Sequence, residues 1–362
     1  MITESTDQQE IDHDDVNEDD LALIHALQLR PRAAWTVLAP VLGSSPTALA
    51  QRWQRLRAAG LAWVTAYPVH GALSGDAVVA LVEVDCLPGS VDEVAARVAR
   101  MPRVHNLEHA AQGRDLLLTV SAGTFGELSA LLLDELRAMP GVATVRSHLG
   151  ARMHIEGSQW QLDALDRGQR EAILRSGQRD RARPDEPVYL RSRVFEPLVT
   201  ALAYDGRATA AELAQRLDRP ASTVRRQLAA LLGSGVLRLR CEIAQLHTRW
   251  PMHAVWWCRL PVSALPETVA RLREDPRIRL CMSVTGSASL VVNAWTADLA
   301  DLLSLQDVLE RLLPPGGIVD GSVILRTSKR VGWLMHPDGR CTGEVIPLPG
   351  PPSAAPIRRA PR

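Results

Sequence analysis

Lysine is almost missing from this chain: Lys329 is the only one among 41 basic residues. Arginine-only basicity fits a GC-rich coding sequence, so the abundance of arginine says nothing by itself of phosphate recognition. Cysteine is also sparse. Cys86, Cys241, Cys258, Cys281 and Cys341 are scattered, odd in number and never spaced C-x-x-C, which argues against zinc or a disulfide framework and for reduced thiols. No apolar run approaches the ~18 residues of a membrane span. The first residues lack the basic flank and apolar stretch of a secretory signal, so the expected location is cytoplasmic. No Ser/His/Asp or Cys/His arrangement has supporting context, and the expectation is no enzyme and no cofactor. Acidic residues are missing from two places in particular, between Ser45 and Ala59 and between Pro220 and Arg240.

The acids that are present cluster at the start. The first twenty residues hold nine of them and no Lys or Arg. The formal net charge of zero is therefore an average: beyond residue 20, 41 basic residues face 32 acids, a net of +9. Residues 1–17 are expected to be disordered, as is the proline-rich stretch 347–362.

Between these ends the chain says nearly the same thing twice. Residues 23–61 overlay on residues 198–236 without a gap, and Ala26, Leu27, Arg32, Ala33, Leu38, Leu42, Leu56 and Gly60 recur as Ala201, Leu202, Arg207, Ala208, Leu213, Leu217, Leu231 and Gly235. Self-similarity of this kind sets the architecture before any site is considered. In the first copy Asn17 or Asp19 can cap a helix with Leu21, Ile24 and Leu27 at helical spacing. Pro31 ends it, and a second helix covers about residues 34–42. Ser45 then caps a third with Pro46 at its first position and Leu49, Trp53 and Leu56 on the buried face, stopped by Gly60. Residues 61–68 suit a strand or wing. From residue 77 the pattern becomes β-α-β-β-α-β, closing near residue 154, and from residue 253 the same order returns.

The third helix of each unit carries the strongest functional signal. Burying its apolar face leaves Ser45, Thr47, Gln51, Arg52 and Arg55 outside in the first copy, and Ser222, Thr223, Arg226 and Gln227 in the second. Small hydroxyls at a helix start suit phosphate contacts, while Arg and Gln reach base edges in the major groove. Ala230 stands where the first copy has Arg55, so the first head is expected to be the better reader.

The combination S-P-T…R-x-x-R-L-x-x-x-G-L followed by β-α-β-β-α-β resembles the Lrp/AsnC family of bacterial transcription regulators, and PASTVRRQLAALLGSGVL resembles the same family's recognition helix. The resemblance implies an α+β chain in which two winged helix-turn-helix domains (18–68 and 193–246) alternate with two ferredoxin-like effector domains (75–155 and 252–335). Residues 156–192 serve as a partly helical linker. It also implies double-stranded DNA as partner, and homo-oligomers built from internal pseudo-dimers. A small amino-acid-like effector would bind near the turns at Gly113, Arg114 and Asp115 and at Gly286, Ser287 and Ser289. Ser289 stands where family members often carry an acid, which favours the Asp115 turn for an ammonium group.

Other constellations are weaker. His105 and His109 share a strand without a third ligand, so no metal is expected. Gly123 and Gly126 do not fit a phosphate loop, and Trp256-Trp257 suits core and interface. Siroheme decarboxylases resemble Lrp/AsnC proteins in fold, and His105, His109 and His148 leave an enzyme of that type as the alternative. A second alternative is a partner chain that no longer binds DNA.

Overall fold

The computed structural model describes residues 16–68, 77–176 and 194–349. Of the stretches expected to be disordered, 1–17 and 347–362, residues 1–15 and 350–362 lie outside the described residues.

The first three-helix unit comprises α1 (Glu18–Leu29), α2 (Trp35–Leu38) and α3 (Pro46–Ala58), followed by β1 (Ala62–Pro68). Asn17 caps α1 in a capping box with Asp20, and Ser45 caps α3 by accepting from the Ala48 N–H at 3.1 Å. Leu49, Trp53 and Leu56 are buried, as the helical period requires. α2 is shorter than expected because the chain turns at Ala39. The second unit is α7 (Glu196–Tyr204), α8 (Ala210–Leu217) and α9 (Ala221–Gly233), followed by β6 (Leu237–Ile243). Its core holds Leu198, Leu202, Leu213, Val224 and Leu231.

Neither unit has a wing of its own. β1 and β6 pair with each other in an antiparallel ribbon centred on Thr65 opposite Arg240, residues that are themselves 175 apart. Arginines tie the units together in the same reciprocal way. Arg32 donates to the carbonyls of Gly206 and Ala208, and Arg207 donates to those of Pro31 (2.6 Å) and Ala33 (2.9 Å). These four carbonyls belong to the turns before α2 and α8. Each guanidinium thus satisfies acceptors that the opposite turn leaves open.

The rest of the chain forms one sheet rather than two. β2 (Val78–Cys86), α4 (Val91–Ala99), β3 (Val104–Ala110), β4 (Leu116–Ala122), α5 (Phe125–Ala130) and β5 (Val142–Ile155) follow the expected order. So do β7 (Met252–Cys258), α10 (Leu265–Leu272), β8 (Ile278–Val284), β9 (Leu290–Thr296), α11 (Leu299–Leu312) and β10 (Ile318–Arg330). The long strands β5 and β10 bridge the two runs: β5 pairs with β2 and β8, and β10 with β7 and β3. The order β10-β3-β4-β2-β5-β8-β9-β7 then closes on β10, making an antiparallel barrel with no open edge among these strands. The expectation of two separate ferredoxin-like domains is corrected here, because the closing strands are shared. Alternation along β2 shows the layering. Ala80, Val82 and Val84 face the α4 and α5 side, while Leu81 joins Leu117, Val255, Trp257, Met282 and Ile324 within the barrel.

Two further elements were not foreseen. A hairpin of β11 (Trp333–Met335) and β12 (Cys341–Val345) extends the sheet from β10. It clamps the first unit: the Cys341 N–H donates to the Gly60 carbonyl at 2.9 Å, and Trp333 packs on Trp63 at 5.8 Å. A Cβ on Gly60 would meet the Cys341 carbonyl at 2.5 Å, so this glycine serves both a left-handed turn and a close approach. The connector is also more than a linker. Trp160, Leu162, Leu165 and Ile173, the last on α6 (Arg167–Arg175), are buried in the core of the first unit. His25 on α1 accepts from the N–H groups of Ala164 and Leu165, at 3.2 and 3.1 Å.

Candidate nucleic-acid interface and effector turns

The α3 and α9 faces differ from expectation in a way that matters for charge. On α3, Ser45, Thr47, Gln51 and Gln54 are exposed. Arg52 and Arg55 are not free. Arg52 donates to Asp19 at 3.0 Å, Asp20 at 2.9 Å and the Asn17 side chain at 3.1 Å, and Arg55 bonds both Asp20 oxygens at 2.6 and 2.7 Å. Asp20 is fully buried. A buried carboxylate without cationic partners would be costly, so the two arginines have structural work whatever else they touch. The sequence held a clue: Asp20 lies four residues before Ile24, on the buried face of α1.

On α9 the exchange is complete. Phe195 replaces Asp20, Gln227 replaces Arg52 and Ala230 replaces Arg55, so the ionic anchor has no counterpart, and Phe195 and Ala230 pack against the second unit's core. Gln227 and Thr223 are half-buried, and Gln227 Oε1 is buried without a hydrogen-bond partner. Ser222 and Arg226 are exposed, as expected, and so is Arg225, which the sequence reading missed. Arg225 lies one position beyond Val224 and occupies the place of Ala50, a position the first copy had marked as unimportant. Among the described residues, neither Arg225 nor Arg226 forms an ion pair or hydrogen bond.

The effector turns are both present, with Gly113 and Gly286 in the left-handed region at φ +78° and +112°. Their expected ligand groups are otherwise engaged. The Asp115 carboxylate accepts from the Cys86 N–H at 2.7 Å, and the Ser289 hydroxyl accepts from the Leu260 N–H at 3.0 Å. Both side chains therefore cap the end of a neighbouring strand. The carboxylate-to-hydroxyl difference follows from that shared role and says nothing about an ammonium ligand. Ser287 offers its carbonyl to Arg259 at 2.8 Å.

Arg114 instead turns into the barrel end. Its guanidinium stacks on Trp257 at 3.9 Å, pairs with Asp320 and approaches Glu83 at 3.6 Å. Glu83 also receives His148 and Arg146, each at 3.0 Å. Burial pushes its carboxyl upward, but His148, Arg114 and Arg146 outweigh this and hold it below the ordinary glutamate range. Arg114 Nε and Nη1, His148 Nδ1 and Trp257 Nε1 are all buried without a hydrogen-bond partner. Open grooves of about 530 and 510 Å³ lie elsewhere, one beside α3 and the hairpin, the other between the connector and β8.

The remaining candidates are dispersed. His105 bonds Ser121 at 2.5 Å and His109 bonds Ser328 at 2.8 Å, on different neighbouring strands. No group of three His, Cys, Asp or Glu residues suited to a metal occurs among the described residues. No described helix is long and apolar enough to cross a membrane.

Comparison with known proteins agrees with this arrangement at the level of domains. Residues 17–57 match the AsnC-type helix-turn-helix domain, residues 79–159 the Lrp/AsnC ligand binding domain, and residues 191–240 a helix-turn-helix domain. The chain thus carries DNA-binding-type helix-turn-helix domains and an Lrp/AsnC ligand-binding domain. An uncharacterized HTH-type transcriptional regulator of Pyrococcus furiosus is 25% identical over 134 residues, which is 37% of this chain and 90% of that protein. Among solved structures, the siroheme decarboxylase NirDL aligns over 87% of this chain and 93% of its own, at 16% identity and a TM-score of 0.54. Its complex with an iron-uroporphyrin III analogue gives 0.55. That likeness is one of fold.

Proposed function

We propose that this chain is a sequence-specific, duplex-DNA-binding transcription regulator of Lrp/AsnC type, in a tandem form that makes an internal pseudo-dimer from one polypeptide. The observation that carries the reading is the pairing of its two helix-turn-helix units. They are joined by one ribbon and by reciprocal arginine contacts, and each presents an outward helix without a single acid. Rigidly spaced heads suit two half-sites on one face of a duplex, about one helical turn or a multiple apart. In this reading residues 18–68 and 193–246 are the heads, and residues 75–155 and 252–335 supply the effector barrel.

The barrel would act by differential binding: a ligand that favours one barrel arrangement shifts the heads toward or away from DNA competence. The barrel end around Arg114, Glu83, His148 and Trp257, where several polar atoms are buried without a hydrogen-bond partner, is where such a ligand would act. Higher assembly of these pseudo-dimers and a cytoplasmic location belong to the same reading.

A tetrapyrrole-directed enzyme is the second reading, favoured by the extent of the NirDL fold likeness. Against it, His105, His109 and His148 are each engaged by a different neighbour, Ser121, Ser328 and Glu83. Gel retardation of the DNA upstream of the chain's own coding sequence separates the two. The regulator reading expects retention that resists unrelated competitor DNA and weakens steeply with salt. Absence of specific retention, together with a tetrapyrrole absorbance band on the purified protein, would overturn it.

A further inference from the structure

We infer that the two heads divide the work: the second unit, through Arg225 and Arg226 on α9, makes the principal DNA contact, and the first unit is chiefly a structural anchor. The inference rests on the duplex-DNA reading and adds to it which head, and which side chains, carry the affinity. Three independent observations support it.

The first is the availability of cations. On α3, Arg52 and Arg55 are spent on the buried carboxylate of Asp20, with Asp19 beside them, and Arg57 on Asp205, whereas Arg225 and Arg226 are exposed and free of carboxylates among the described residues. A guanidinium must be unpaired to release counterions from a phosphate or to form a bidentate contact with guanine. The second is the surrounding charge. The two units as described carry the same net charge, +2 each, with five arginines against three acids in residues 16–68 and seven against five in residues 194–243, but they differ in where the acids stand. Glu18 and Asp19 are exposed at the start of α1, and Asp19 reaches Arg52 on α3, so they oppose a phosphate backbone there, whereas Arg225 and Arg226 on α9 have no carboxylate partner among the described residues. The third is mechanical. The first unit is held by the connector through His25, Trp160 and Ile173, and by the hairpin through Gly60 and Cys341, while the second keeps a core built from its own helices, β6 and Ala66.

The test uses the full-length chain and a fluorescent duplex from its own upstream region, with an unrelated duplex of equal length, in anisotropy titrations at several salt concentrations. Three proteins are compared: wild type, Arg225→Ala/Arg226→Ala, and Thr47→Ala/Gln51→Ala. The α9 pair should weaken specific binding by at least about 30-fold and reduce the magnitude of the salt slope by about 2. The α3 pair should change it by less than about threefold. Both variants replace exposed side chains, so melting temperatures should stay at the wild-type value, which separates contact loss from unfolding. A larger or equal loss from the α3 pair, with wild type still selective, would overturn the inference and leave the regulator reading standing. A wild type that cannot tell the two duplexes apart would remove both.

Discussion

Asp20 explains more of the first head than any other single residue. Its carboxylate is fully buried, capped into α1 and held by two arginines that also occupy the helix expected to read DNA. Removing both partners strands a buried charge, which costs about 3–5 kcal/mol. That exceeds the ~1–3 kcal/mol of a single base contact. The Arg52→Ala/Arg55→Ala variant should therefore lower the melting temperature markedly, and pairing it with Asp20→Leu should recover much of the loss. An unchanged melting temperature for the arginine variant would contradict the structural role. A second residue-scale prediction concerns pH. Burial raises the Glu108 carboxyl to about 7, opposed by Arg330 and Arg279, while burial lowers His253 to about 3. The two face each other at 3.8 Å. Between the ordinary glutamate value of 4.5 and about 7, the folded chain keeps a proton on Glu108 that the unfolded chain has released, so this group's contribution to stability falls as pH rises. His253 acts the other way, its contribution falling as pH drops below 6.5. Melting curves of wild type and Glu108→Gln across pH isolate the first effect. Their difference should grow from about pH 4.5 and level off above about 7, and a flat difference would contradict it.

Elements were largely legible in the sequence, whereas their partners were not. Helical spacing in α1 and α3, the Ser45 cap, the glycine stops and the β-α-β-β-α-β order depend on local chemistry, and local chemistry is what periodicity records. β1 was expected as a wing but pairs with β6, and β5 and β10 were expected to close separate sheets but close a shared one. Such choices are made by residues more than a hundred positions away, which no local pattern encodes. The hairpin of β11 and β12 was missed because its strands are three and five residues long. Trp160 and Ile173 looked isolated in a polar connector, although isolated large apolar residues in such a stretch are themselves a docking signal. Reciprocity gives the element-scale prediction. Arg32→Ala and Arg207→Ala each leave two carbonyls of the opposite turn without their donor, so each should destabilise the pair of heads, by about 1–3 kcal/mol for each carbonyl so orphaned. Because the contacts are made on opposite sides of one joint, the double variant should lose more than either. A double variant as stable as wild type would show that the heads do not depend on this joint.

At the scale of the molecule, the chain joins two helix-turn-helix units through the β1–β6 ribbon and closes its other strands into one barrel. The sequence repeat pointed to two related units, and its divergence to unequal ones with the first copy favoured. Counting exposed arginines along a helix favoured the first head, because ion pairing with Asp20 is a tertiary event. It also favoured Asp115 as an effector ligand, because a capping role on the Cys86 N–H cannot be seen without the fold. In the proposed reading, DNA affinity therefore lies on the second head and a ligand response at the barrel end around Arg114, Glu83 and His148. The most direct test is the salt dependence of binding to the upstream duplex by the intact chain. Log affinity should fall linearly with log salt, with a slope magnitude well above 2, and specific binding should stay tighter than binding to an unrelated duplex throughout. Affinity that is weak, insensitive to salt and equal for both duplexes would contradict the account.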